Sequence, residues 1–360
     1  MTRPARVVID IAALHHNLSR IRSTAPDSKV MAIVKADAYG HGIERVVPAL
    51  SSADGFGVAC LEEAQQLRDC GVSQRILLLE GPFSPAELGQ VQSLGLDVVV
   101  HHEYQLQMLE QSRLSTPVNV WLKIDTGMHR LGFKPEQTDA AWQRLLACTN
   151  VAQPPRLMTH FACADEHYNP MTLEQLRVFN DACGHIEAER SLANSAAILG
   201  WQETHADWVR PGLMLYGVSP VQDKFAAEFD LRPVMALVSE LISIKQLKRN
   251  DPVGYGASWY CPQDMPVGIV ASGYADGYPR HARSGTPIIV NRQRTGIIGH
   301  TSMDMLAVDL RSIDNPQVGD PVELWGPLLP VEEVALHAGT VPYELLCGVH
   351  KRLGYVINDG

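Results

Sequence analysis

Val30-Met-Ala-Ile-Val-Lys-Ala-Asp-Ala-Tyr-Gly-His-Gly42 is the stretch from which the rest of the chain can be read. Its apolar run, Val30–Val34, predicts a short strand buried on both faces. Lys35 follows directly, and Gly40 and Gly42 mark a turn before a helical pattern begins near Ile43. A lysine ending a buried strand is partly desolvated, which lowers its pKa and frees a nucleophilic lone pair. An imine-forming lysine needs that environment. The plain alternative is a lysine that ends a strand and snorkels to water.

Outward from this stretch one unit repeats: apolar strand, polar or glycine-bearing loop, amphipathic helix. Arg6–Asp10 reads as a first strand, and Asp10 can cap a helix carrying Ile11, Leu14, Leu18 and Ile21 on one face. Further candidate strands are Val30–Val34, Gly55–Val58, Arg75–Leu79, Asp97–Val100, Val118–Ile124, Arg156–Thr159, Ser191–Ala193 and Asp207–Val209. The clearest helices between them are Leu61–Asp69, Pro85–Leu94, Glu103–Gln111 and Leu173–Glu189. About eight such units in some 200 residues match a TIM (β/α)8 barrel. The rival doubly wound sheet lacks its G-x-G-x-x-G after the first strand. Lys35, Glu80, His101, Arg130, His160, Ser195 and Arg210 all fall at or just past strand C-termini, which in a barrel converge on one mouth.

Past about Lys224 the rhythm stops. Pro233–Lys245 alternates like a long strand, and Val267–Ala271, Pro287–Val290, Gly296–Gly299, Leu306–Leu310 and Pro321–Leu324 follow with turn residues between. A helical pair is expected around Val331–Ala338 and Tyr343–Val349. The expected fold is therefore α/β: a barrel at residues 10–228, then a mainly β C-terminal domain at 229–360 that takes in the strand of residues 1–9.

Composition narrows the function classes. The chain has 360 residues, 46% of them hydrophobic, enough for two full cores. No apolar run approaches the ~20 residues of a membrane span, and the N-terminal residues lack the apolar core of a signal peptide. Net charge −10 and the absence of a basic stripe argue against nucleic acid. Seven scattered cysteines, odd in number and without C-x-x-C spacing, read as reduced thiols of a cytoplasmic protein.

Several polar residues suggest chemistry. Arg130, on a loop after a strong strand, can clamp a carboxylate through two parallel hydrogen bonds, or can be a surface arginine. His160 lies near Asp165, Glu166 and His167, but no ligand spacing sits on one element, so no metal is expected. Ala193–Ala197 and Val209–Gly217 end the last two barrel strands, where barrels often bind phosphate. Ser195 offers a hydroxyl and Gly212 a close backbone approach, although Asn-Ser-Ala-Ala is also an ordinary helix cap. Val253-Gly-Tyr-Gly-Ala-Ser258 sets Tyr255 between glycines, either a tight-turn aromatic or a presented phenol.

Val34–Gly42, Lys123–Gly132, Ala193–Ala197, Val209–Gly217, Val253–Ser258, Ser272–Arg280 and Thr301–Asp304, in this order, resemble the motifs of bacterial alanine racemases. The resemblance implies a homodimer that interconverts L- and D-alanine with pyridoxal 5′-phosphate, without nucleic-acid or membrane partners. Lys35 would bond the cofactor aldehyde and move protons on one face of the substrate, and Tyr255 of the other subunit would act on the opposite face. Tyr39, Ser195 and Gly212 would hold the phosphate, Arg210 would meet the pyridine nitrogen, and His160 would sit beside the ring, hydrogen-bonded to Arg210. Arg130 would bind the substrate carboxylate, supported by Lys123, which in that family can carry a carbamate. Tyr274 and Met303 would narrow the pocket, with Arg280 and Asp304 near its entrance. Arginine at the ring nitrogen discourages its protonation, so the carbanion is less delocalised and proton return competes better with transamination. The match departs at Lys351, where some members have a phosphate-binding tyrosine. A broad-spectrum amino-acid racemase, a decarboxylase of similar architecture and a non-catalytic cofactor carrier are the alternatives.

Overall fold

Eight parallel strands close on themselves in the computed structural model, which describes residues 3–359. After β1 (Arg6–Asp10) and the helix Ile11–Thr24 come β2 (Lys29–Ile33), β3 (Gly55–Val58), β4 (Arg75–Leu78), β5 (Asp97–Val100), β6 (Asn119–Lys123), β7 (Arg156–Met158), β8 (Arg190–Asn194) and β9 (Trp208–Arg210). Strands β2 to β9 pair in sequence order, and β9 returns to β2 through Lys29↔Trp208 and Val30↔Val209. The expected TIM barrel is present. Its strands are short because each need only cross the barrel wall, and their central residues are mostly apolar because both faces are covered. The helices Leu61–Asp69 and Glu103–Gln111 have the bounds expected of them. Two others differ. Pro85–Leu94 is a 3-10 turn, Pro85–Glu87, followed by the helix Leu88–Ser93. The helix expected at Leu173–Glu189 runs from Met171, just after Pro170, to Cys183, just before Gly184, a poor helix former.

The N-terminal ends of the strands are sealed by a polar and aromatic plug. Buried Asp97 pairs with Arg75 and accepts the indole N–H of Trp121 at 2.7 Å. Arg156 lies 5.5 Å above the Trp121 ring, whose edge meets Trp208 at 5.9 Å. Lys29 covers Trp208 in turn. The C-terminal ends are left for chemistry, as in barrels generally.

The chain divides into two units, and the barrel, with residues 15–215 and 219–224, is one of them. The other is built on one sheet whose strand order is β13-β16-β15-β14-β17-β10-β1-β18, with β13 also pairing β10. Its strands are β10 (Met235–Leu247), β13 (Met265–Val270), β14 (Pro287–Val290), β15 (Gln293–Ile298), β16 (Leu306–Asp309), β17 (Pro321–Trp325) and β18 (Gly354–Asn358), with the small hairpin β11 (Pro252–Val253) and β12 (Trp259–Tyr260). This is the mainly β C-terminal domain. The N-terminal strand β1 lies inside its sheet, antiparallel to β10 and parallel to β18. The helices Val331–Ala338 and Pro342–Cys347 complete the unit. No helix among the described residues is long and apolar enough to cross a membrane.

Candidate active site

Lys35 stands two residues beyond the end of β2, and the backbone after it turns the unusual way. Ala36, Asp37, Ala38 and Tyr39 all have φ between 52° and 55°, one full turn of left-handed helix made without glycine. The left-handed region costs an L-residue roughly 1–2 kcal/mol, so other interactions must hold the turn. Backbone bonds run from Ala38 N to Val34 O (2.9 Å), Gly40 N to Ala36 O (3.0 Å) and Gly42 N to Asp37 O (2.8 Å). The Asp37 carboxylate accepts from Ile43 N at 3.0 Å. Buried His41 sets Nδ1 2.9 Å from Ala38 O and 3.0 Å from Tyr39 O, contacts that require the proton on Nδ1. Burial holds this imidazole down at about 4, so it stays neutral.

Across the β2–β9 seam, Tyr39 meets the loop after β9. A Cβ added to Gly212 would lie 2.5 Å from the Tyr39 hydroxyl, so only glycine allows this approach. The amide of Gly212 donates to Ser195 Oγ at 2.7 Å, and Met214 N approaches the same oxygen at 3.4 Å. With its lone pairs so used, the Ser195 hydroxyl keeps its proton for an outside acceptor. Ser195 opens the short helix Ser195–Gly200, capped by Asn194 onto Ala197 N. Tyr39, Ser195 and Gly212 thus form one cradle.

Arg210, at the end of β9, is buried and gripped from behind. Its Nη1 donates to Ser191 Oγ (2.7 Å), and its Nη2 donates to Thr159 O (2.6 Å) and Leu192 O (3.2 Å). Nη2 also lies 3.4 Å from His160 Nδ1, which must accept, placing the histidine proton on Nε2. These bonds leave the Nε–H of Arg210 for a further acceptor. Burial lowers Arg210 to about 10, and it remains a cation at neutral pH. His160 is pushed well below its usual range, by burial first and then by the charges of Arg210, Lys123, Arg130 and Lys35.

Lys123, the last residue of β6, is buried among the same cations. Burial, then Arg210, Arg130 and Lys35, pull its amine down to about 8, opposed only in part by Asp125. Arg130 is exposed on the following loop, in a cleft of about 280 Å³ lined by His101, Tyr104 and Asp125 among others. Four cationic side chains beside a neutral histidine make this mouth a receptor for anions such as carboxylate and phosphate. The barrel therefore brings together Lys35, Tyr39, Arg130, His160, Ser195, Arg210 and Gly212.

The β-rich unit gathers the other candidates on neighbouring turns. Tyr255 is 70% exposed on a turn whose flanking Gly254 and Gly256 have φ of 74° and 72°. Gly254 packs on the backbone of His300, at the start of the loop carrying Met303. Tyr274 N donates to Ser302 O and Ala275 N to Met303 O, both at 3.0 Å. A side chain on Gly273 would run into the backbone carbonyls of Ser302 and Met303, so these two loops touch only because position 273 is glycine. Buried Asp276 ties them down: it accepts from Arg352 Nε at 2.8 Å, Arg3 Nη2 at 2.9 Å and Gly273 N at 3.0 Å. Asp304, expected near a pocket entrance, is bonded at 2.8 Å to Arg352.

Sequence reasoning missed the side chains that join neighbouring barrel loops. Glu63 bonds Ala36 N, after β2, and Ala59 N, after β3. Gln105 bonds Glu80 O, after β4, and His101 N, after β5. Gln175 bonds Thr126 Oγ1, after β6, and His160 O and Ala162 N, after β7. Glu63 and Gln105 are each the third residue of their helix, where Glu or Gln ordinarily reaches back to cap its own N-terminus. That position was the available signal.

Comparison with known proteins places the chain. Residues 9–220 match the family profile described as alanine racemase, N-terminal domain, and residues 234–357 that of alanine racemase, C-terminal domain. The alanine racemase of Shewanella loihica is 54% identical over 348 residues, 97% of either chain. That of Shewanella sediminis is 52% identical over 98% of this chain and 99% of its own. The crystal structure of the biosynthetic alanine racemase from Pseudomonas aeruginosa superposes with a TM-score of 0.97 at 46% identity, covering 99% of this chain and all of that one. With both halves matched in order and the whole length covered, this chain belongs to the alanine racemase family.

Proposed function

We propose that the chain is a pyridoxal-phosphate-dependent alanine racemase, acting in the cytoplasm as a homodimer that shares its active sites. The observation that carries this reading is the barrel mouth, where Lys35, Arg210 and Arg130 all act on Lys123 and His160 beside the Tyr39–Ser195–Gly212 cradle. The cofactor fits what is there. The Ser195 hydroxyl and the close backbone at Gly212 suit its phosphate, the remaining N–H of Arg210 suits a basic ring nitrogen, and Lys35 offers the amine for covalent attachment. When bound, pyridoxal phosphate supplies a sink for the electron pair released at the substrate α-carbon.

The protein's own groups do the rest. Arg130 binds the substrate carboxylate, and its charge orients the α-carbon. Lys35 moves the α-proton on one face. Tyr255 from a second copy moves it on the other, which suits its display on an exposed turn. A phenol near pKa 10 needs cations close by to act as a base at neutral pH, and the mouth provides them. By the family resemblance, Tyr274 and Met303 narrow the substrate pocket and favour a methyl side chain. His160, held neutral, keeps Arg210 turned toward the ring nitrogen and adds no charge of its own.

The test is D-alanine production from L-alanine by the purified, cofactor-loaded chain, read with D-amino-acid oxidase. Lys35→Ala should lose both the cofactor absorbance and racemisation. Comparable turnover of serine, lysine or arginine would broaden the substrate class, and release of carbon dioxide would replace the reading by decarboxylation.

A further inference from the structure

Ala36 N–H belongs to the peptide that joins Lys35 to the left-handed turn, so whatever fixes that N–H fixes ψ of Lys35 and the direction its side chain leaves the backbone. The group that fixes it is Glu63. One carboxylate oxygen accepts from Ala36 N at 2.6 Å and the other from Ala59 N at 2.8 Å. A glutamate at the third position of a helix normally returns one oxygen to its own cap residue. Here the side chain of the cap residue, Cys60, makes no capping hydrogen bond, and the Glu63 oxygens go elsewhere. The carboxylate is instead divided between the loop after β3 and the loop after β2. Only a carboxylate can serve both, because it presents two acceptors and no donor, whereas a carboxamide must turn its NH2 toward one of the two N–H groups.

The turn it anchors is conformationally costly and draws on bonds beyond its own backbone. Four consecutive non-glycine residues, Ala36 to Tyr39, sit in the left-handed region, and Tyr39 at its end closes the cradle with Gly212. Of Glu63, Gln105 and Gln175, Glu63 is the carboxylate and the one bonded next to Lys35. We infer that Glu63 is a positioning residue: its carboxylate clamps the Lys35–Ala36 peptide to the neighbouring loop, aiming the Lys35 amine and seating Tyr39. The inference rests on the proposed role of Lys35 as the cofactor-bearing amine.

Glu63→Gln, equal in shape, is the test. The full-length chain is freed of cofactor and mixed with pyridoxal phosphate. Attachment at Lys35 is then followed over time by borohydride trapping and peptide mass spectrometry. The variant should attach at least tenfold more slowly and show a kcat reduced by a similar factor, with KM for alanine within twofold. Its melting temperature should stay within a few degrees of the unaltered chain. Glu63→Asp, too short to span both loops, should be slowed at least as much. Hydrogen exchange supplies a readout independent of activity: the Ala36 amide should be protected in the unaltered chain and exchange much faster in Glu63→Gln. Attachment at the unaltered rate, or an Ala36 amide that exchanges like an open loop in the unaltered chain, would overturn the clamp. Should the unaltered chain itself fail to attach the cofactor at Lys35, the proposed function falls, and the exchange comparison still decides the clamp.

Discussion

Lys123 gives the most quantitative prediction, because its burial has a definite energetic sign. Its amine is pulled from 10.5 to about 8 in the folded chain, by burial and then by Arg210, Arg130 and Lys35. Holding the proton on this amine at neutral pH therefore costs about 3 kcal/mol, at 1.36 kcal/mol per pKa unit. Replacing it by the similarly shaped methionine removes that cost, so Lys123→Met should be more stable than the unaltered chain by about 3 kcal/mol at pH 7 in carbon-dioxide-free buffer. The sign reverses nowhere but the gap closes with pH. Below pH 8 folded and unfolded chains both carry the proton and the cost is constant. Between 8 and 10.5 only the unfolded chain binds it, so the unaltered chain gains stability as pH rises and the advantage of methionine disappears. The assay is urea unfolding of the cofactor-free chain followed by tryptophan fluorescence at pH 7 and pH 10. The same experiment with added bicarbonate reads the second half of the reasoning. A neutral amine can attack carbon dioxide, forming a C–N bond and releasing a proton, and the resulting carbamate anion would stand among cations. Bicarbonate should then stabilise the unaltered chain and leave Lys123→Met unmoved. A methionine variant that is less stable at pH 7 without carbon dioxide, or a difference that ignores pH, would refute the argument.

Four further outcomes can be checked. Gly212→Ala places a Cβ 2.5 Å from the Tyr39 hydroxyl. The phenol must swing aside by about an ångström, and loss of one hydrogen bond to a charged group, about 1.5–3 kcal/mol, should weaken cofactor binding roughly 10- to 150-fold in a fluorescence titration. Tyr255→Phe should slow α-proton removal from L-alanine more than from D-alanine, measured by deuterium wash-in from each enantiomer; equal losses would count against a second base on that face. Ala38→Gly should be stabilising or neutral because the left-handed φ of 55° is free to glycine, whereas Ala38→Val should lose about 1–2 kcal/mol or more in thermal unfolding. His41 is depressed from 6.5 to about 4 by burial, so stability should fall as pH drops from 6.5 to 4, by up to about 3 kcal/mol from this group, and a pH series of melting curves will read it.

The barrel was legible because its rule is simple. A strand buried on both faces is a run of apolar residues, and Val30–Ile33, Phe56–Val58 and Val98–Val100 announce themselves without tertiary knowledge. The candidate residues could be placed because strand ends are the mouth. The turn after Lys35 was only half visible. Gly40 and Gly42 marked it, but the left-handed residues are Ala36 to Tyr39, whose local preferences oppose the conformation. It exists because Glu63, Asp37 and His41 supply hydrogen bonds from outside or across the turn, and such partners have no sequence period. The strand β18 was overlooked for a related reason: Gly354–Asn358 is too short to stand out, and it becomes a strand only by pairing with β1, far away in sequence. The helix Leu61–Asp69 could be read from its spacing, while the destination of Glu63 on its first turn could not.

The side chains joining neighbouring loops make the rim of the barrel a set of twos rather than eight independent segments. Glu63, Gln105 and Gln175 couple the loops after β2 and β3, β4 and β5, and β6 and β7. A single loop moved into a different barrel by recombination would arrive with its acceptors or donors left behind, and an insertion there would loosen a partner that was never touched. Duplication, grafting and laboratory shuffling of this scaffold should therefore succeed at the seams after β3 and β5, where a transplanted rim piece carries both halves of its own fastening; the seam after β7 is crossed by Arg210 to Thr159 O and by Trp201 to Ala164 O.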